Sequence, residues 1–164
     1  MLCKIDHYLK NLYRLSGYIA AIFLILVATF ILTGIASRIF GFYIRGLAEY
    51  SGYCMAASSF LALAYTFGEK GHIRITLFLE RANKKVRRFL DLWCLSIATF
   101  FSGFLSFYFI KMLIISIQFG ERSEGADEIY IWIPQVSVAL GSTIFFVCVL
   151  HNFILLILNK TNNW

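Results

Sequence analysis

Charge is scarce in this sequence. Asp, Glu, Lys and Arg together make 15% of its residues, where soluble domains carry about 25%. There is no Gly-rich phosphate loop and no Walker lysine, which excludes the usual nucleotide-binding motifs. The four cysteines (Cys3, Cys54, Cys94, Cys148) show no C-x-x-C spacing. Three of them lie within apolar runs, where a free cysteine behaves as a small buried hydrophobe. The three histidines (His7, His72, His151) are scattered, and only His151 falls in an apolar run. That disfavours a four-helix haem protein with paired axial histidines. No nucleophile stands beside an evident base. The residues therefore point away from an enzyme, and neither a cofactor, a metal nor a nucleic-acid partner is expected.

What the chain has in quantity is apolar sequence. The hydrophobic set accounts for 60% of residues and includes seventeen phenylalanines. Four runs are long enough to cross a bilayer, which takes about 20 apolar residues as a helix. They span roughly residues 16–37, 47–67, 92–117 and 131–158. Backbone polar groups in hydrocarbon must be paired within their own segment, so all four are read as helices. The expected fold is an all-α integral membrane protein, a single four-helix domain over residues 1–164. The first run exceeds the roughly 7–15 residues of a signal-peptide core and ends without a small-x-small site, so it is read as a retained anchor.

Basic residues give the orientation. Eleven of the fifteen Lys and Arg residues fall on the side of both termini and of the segment between runs two and three. The other four, Arg38, Arg45, Lys111 and Arg122, fall on the opposite side. Cytoplasmic loops carry the positive excess, which places both termini inside. The loop between runs three and four, with Glu121, Glu124, Asp127 and Glu128, then faces outward. The segment GEKGHIRITLFLERANKKVRRFLDLW is itself periodic. On a helical wheel centred on Ile75, the residues Phe78, Leu79, Ala82, Val86, Phe89, Leu90 and Trp93 share one face. Arg81, Lys84, Lys85, Arg87 and Arg88 occupy the other, and Leu77 alone misfits. This predicts an amphipathic helix over about residues 74–88, lying in the cytoplasmic interface with its basic face on anionic lipid headgroups. The alternative is a solvated loop whose charges only set topology.

Ionisable residues within the apolar runs are few. Glu49 begins the second, where a helix dipole favours a carboxylate, and Lys111 lies late in the third. Antiparallel neighbours would let Glu49 and Lys111 pair near the outer surface; otherwise Lys111 snorkels to the headgroups. Neither sits at mid-depth, where a transporter moving ions by itself would carry one. Small residues recur on single helix faces: Gly52, Ala56 and Ser59; Ser96, Thr99, Gly103 and Ser106; Ser137 and Gly141. Such stripes allow close helix approach in lipid, either within the chain or against another protein.

Two local features carry a family resemblance. One is the second run and its exit, with Glu49 early and then FLALAYTFGEKGHIRIT, ending in Gly71-His72-Ile73-Arg74. The other is IPQVSVALGSTIFF, with Pro134 and Gly141. With the four-helix pattern and cytoplasmic N-terminus, the chain resembles the small membrane subunit of TRAP (tripartite ATP-independent periplasmic) transporters. The resemblance implies a non-enzymatic subunit in a bacterial inner membrane. A large permease subunit would carry the substrate and sodium sites, and a soluble periplasmic protein would deliver an organic anion such as a dicarboxylate or sugar acid. The small subunit would brace the permease. Residues expected at partner or lipid contacts are Glu49, Gly52, Ala56, His72, Arg74, Phe78, Arg81, Lys84, Lys85, Arg88, Pro134 and Gly141. Two rival readings are a free-standing four-helix exporter built around an acidic residue, and a membrane anchor for a redox complex.

Overall fold

The computed structural model describes residues 2–68, 84–125 and 128–158. Among them are four helices: α1 (Leu2–Ile39), α2 (Leu47–Gly68), α3 (Lys84–Phe119) and α4 (Trp132–Ile157). No strand accompanies them beyond an isolated bridge between Arg122 and Tyr130. The expected segment 74–83 lies outside the described residues. Lys84 to Arg88, expected to close a separate interfacial helix, instead open α3 and run without a break into the third apolar run.

Helices α2 and α4 match the extent of their apolar runs. Helices α1 and α3 do not: they reach well past theirs at the end where the chain termini lie, with 38 and 36 residues. At a rise of 1.5 Å per residue they are roughly 57 and 54 Å long, well beyond a hydrocarbon core of about 30 Å. Polar residues at these extensions make good helix formers as well, so apolarity marks the membrane and not the helix end.

Both long helices stop by the same device. SRIFG (37–41) and SIQFG (116–120) each place a glycine just past the helix, at φ +76° for Gly41 and +61° for Gly120. The amide of Phe42 donates to Ser37 O at 3.0 Å and that of Gly41 to Arg38 O at 3.3 Å; Glu121 donates to Ser116 O at 3.2 Å and Gly120 to Ile117 O at 3.4 Å. These are paired Schellman closures, and the left-handed conformation they need is open to glycine at no steric cost. Pro134 sits in the first turn of α4, where its missing N–H leaves no helical bond unmade.

Three of the helices, over Tyr8–Ile39, Arg88–Phe119 and Trp132–Ile157, are long and apolar enough to cross a membrane. Helix α2 is long enough, at 22 residues or roughly 33 Å. Its serines, tyrosines and Glu49 keep it from qualifying on apolarity. The helices pack as a row, α1 against α2, α2 against α4, and α4 against α3, with only slight contact between α1 and α4. The chain order and the spatial order therefore differ: α4 lies between α2 and α3. Two small cores mark the seams toward the terminal end, Tyr13 with Ala64 and Cys148, and Leu95 with Val149 and Leu156.

Candidate functional site

The seams are built from small residues that let backbones meet. A Cβ on Gly141 of α4 would lie 2.7 Å from the carbonyl carbon of Phe60 and 2.9 Å from the nitrogen of Leu61, both in α2. At the α1–α2 seam the Tyr65 ring covers Gly17, where a Cβ would lie 2.7 Å from its Cγ. The Ser58 hydroxyl donates across that seam to Ala20 O at 2.9 Å. At the α3–α4 seam the Phe146 ring packs onto Gly103, and the hydroxyls of Ser106 and Thr143 bond at 3.0 Å. The Cys148 thiol donates to Ala64 O at 3.5 Å, and Asn152 Nδ2 donates to Cys148 O at 2.8 Å. In lipid, close packing and a few polar bonds of this kind hold helices together. Aromatic pairs add edge contacts, Phe60 on Phe109 and Phe67 on Phe145, with ring centres 5.2 and 5.9 Å apart.

The opposite end holds a polar closure. The α3–α4 loop folds back on itself: Ser123 N donates to Ile129 O at 2.7 Å and Ile131 N to Glu121 O at 3.1 Å. Glu121 Oε2 accepts from Ser116 Oγ at 2.8 Å. The Arg122 guanidinium lies 5.0 Å over the Tyr130 ring and 3.7 Å from Glu128 Oε2. Both members of that ion pair are largely exposed, so it fixes geometry more than it adds stability. The loop is tied to α2 by Tyr53 Oη and Ser123 Oγ at 3.0 Å. The Glu49 carboxylate lies against Gly125, on the spot a Cβ would take.

Much of the molecular surface is apolar. Ile22, Ile25 and Leu32 of α1 and Phe100, Phe101, Phe104 and Phe107 of α3 are exposed. On α2 the residues Gly52, Met55 and Ser59 face outward, and a Cβ on Gly52 would meet nothing within 4 Å. A family model described as "Tripartite ATP-independent periplasmic transporters, DctQ component" matches residues 26–159, from within α1 through the end of α4. The chain belongs to that family. No curated protein matches it at a significant level. As a DctQ component it is the small membrane subunit of a three-part transporter that also has a large permease and a periplasmic binding protein, and the family is one of transport components.

The DctQ fold distributes the expected contact residues unevenly. Gly141 is no surface position: it is buried against the α2 backbone. Gly52 is exposed, Ala56 is half-buried, and Pro134 is half-buried at the start of α4. Thr99, Gly103 and Ser106 line the α3–α4 seam as a stripe should, while Ser96 is exposed. Arg88 is exposed on α3, and Lys84 and Lys85 form the first turn of that helix. His72, Arg74, Phe78 and Arg81 lie outside the described residues.

No Glu49–Lys111 ion pair is seen among the described residues. Lys111 is exposed on α3, while Glu49 reaches the α3–α4 loop from α2. Helix α2 packs mainly against α1 and α4, and it touches α3 through the Phe60–Phe109 ring pair. Sequence reasoning overlooked Gly17, Ser58 and Gly125 as seam residues. The signal for Ser58 was present, since it forms a helical face with Ala57, Leu61 and Ala64, but that face is one residue round from Gly52, Ala56 and Ser59.

Proposed function

We propose that this chain is the bracing subunit of a sodium-coupled, binding-protein-dependent transporter for an organic anion. Family membership supports a transport component, and the row packing supports the bracing role. Helices set side by side form a raft with two long outer helices, a shape suited to stiffening a larger neighbour. Sodium and substrate sites then belong to the large permease. The uncovered Gly52–Ala56–Ser59 face of α2 and the apolar flanks of α1 and α3 are the surfaces offered to that partner and to lipid.

In this reading all four helices span a bacterial inner membrane, α2 included. Its 22 residues reach across, and packing between α1 and α4 offsets its lower apolarity. Both termini are cytoplasmic, on the strength of the Lys and Arg bias. The start of α3, Lys84 to Arg88, lies at the cytoplasmic surface, where basic residues meet anionic headgroups at roughly 1 kcal/mol each.

The test is uptake of a labelled organic anion into vesicles holding this chain alone, the permease alone, or both with the binding protein. Uptake requires the full set, with a sodium gradient. Uptake by this chain alone overturns the brace and revives the small exporter. Reporter fusions after Lys85 and after Gly125 report opposite sides of the membrane; the same side for both sinks the topology.

A further inference from the structure

A cleft of about 350 Å³ opens between the last third of α1, the 40–46 connection and the start of α2. Its volume lies at the low end of the roughly 300–1,000 Å³ of small-molecule sites. The lining is graded along the helix axis. Phe30, Ile31 and Ile35 line it toward the middle of α1, while Arg38, Tyr43 and Glu49 line it toward the ends where α1 and α2 are joined. From Phe30 to Arg38 the cleft runs eight residues, about 12 Å along α1. An apolar floor passing into a cationic rim over that distance matches a lipid at the membrane boundary, acyl chain below and phosphate above.

Arg38 ends α1 and makes no ion pair with another described residue. Glu49 lines the same cleft, but its carboxylate turns toward Gly125 on the α3–α4 loop. The guanidinium is thus the cationic group on this rim, and arginine suits a phosphate because its planar fork donates twice. Phe40, Phe42 and Tyr43 beside it are exposed, as aromatic residues are at headgroup level.

We propose that this cleft is a binding site for one phospholipid, its phosphate on Arg38 and the start of an acyl chain against Phe30, Ile31 and Ile35. The lipid fills the notch between α1 and α2 at the end where those helices are joined. A bound lipid there gives the α1–α2 pair a defined depth in its leaflet.

The experiment uses the full chain, purified and stripped of lipid, then exposed to vesicles of phosphatidylethanolamine and phosphatidylglycerol. Native mass spectrometry counts the phospholipid that stays bound. Two variants test the two halves of the site. Arg38→Gln removes the phosphate contact. Gly34→Leu fills the floor, since a Cβ on Gly34 meets only Leu47 Cδ1, at 3.8 Å. Circular dichroism checks that each keeps its helices. The unaltered chain retains one phospholipid, and each variant lowers that retention about tenfold, the scale of one lost charge-assisted bond. Lys111→Gln, on α3 and outside the cleft, retains it as the unaltered chain does. Equal retention in Arg38→Gln, or in a folded Gly34→Leu, overturns the proposal in favour of unspecific surface lipid. Displacement by inorganic phosphate overturns it in favour of a free-anion site. A cross-link from position 34 to the large subunit, in the assembled transporter, overturns it in favour of a protein occupant.

Discussion

Helices α2 and α3 solve the same problem from opposite sides. Helix α3 is apolar enough to cross a membrane and leaves its large residues Trp93, Phe100, Phe101, Phe104 and Phe107 exposed. Helix α2 falls short on apolarity, yet it has neighbours on two sides, α1 and α4. Most of what both bury is small: Ala57, Ser58 and Ala64 beside Leu61 in one, Ser102, Ser106 and Ser116 beside Leu95 in the other. The usual rule of large apolar residues inside is relaxed, because lipid is as good a solvent for phenylalanine as a protein core. Large apolar residues along these two helices therefore mark mostly outward faces, and small residues mark the contacts between helices.

The sharpest way to break that contrast is Gly141→Leu. The new side chain must displace the backbone of α2 at Phe60 and Leu61, and backbone gives way less readily than a side chain. The expected loss exceeds the roughly 1–3 kcal/mol of ordinary overpacking, and the α2–α4 seam opens. Thermal unfolding in detergent, followed by size-exclusion chromatography, measures it. Gly103→Leu does the same to α3, but there the obstacle is the Phe146 ring, which can swing away. A loss of about 1–3 kcal/mol is expected, smaller than at Gly141 in the same assay. Ser58→Ala removes one hydrogen bond between α1 and α2 and lowers stability by about 0.6 kcal/mol, the average for such bonds in membranes. Gly52→Leu leaves the stability of the chain within about 0.5 kcal/mol, since its Cβ meets open space. The same variant weakens co-purification with the large subunit if α2 offers that face to it. Unchanged co-purification moves the interface to α1 or α3.

The sequence carried the helical class, the ends of α2 and α4, and the family. It also carried the α3 stripe, because Thr99, Gly103 and Ser106 are small residues among phenylalanines. It left open which face of α2 turns inward, because Ala56, Ala57, Ser58 and Ser59 follow one another and two adjacent faces look alike; 100° of rotation separates the buried one from the exposed one. The Glu49–Lys111 pairing rested on consecutive helices packing closely, whereas α2 packs mainly against α1 and α4. Helix order in space is set by which faces fit, and one sequence read alone does not rank those fits. The extra turns of α1 and α3 escaped for a different reason: polar residues such as Lys10, Arg14, Lys84 and Arg88 continue a helix as readily as apolar ones.

The seat of Gly141 on α2 also has a consequence in time. Helix α4 is the last of the four to leave the ribosome, and α2, the least apolar, must wait for it. Until then the nascent chain holds α2 through α1, by the bond from Ser58 and the ring of Tyr65 over Gly17. A chain cut short before residue 141 leaves Phe60 and Leu61 facing lipid with a backbone shaped for a glycine. Such fragments should be marked for proteolysis, and the last helix made becomes the one that certifies the second.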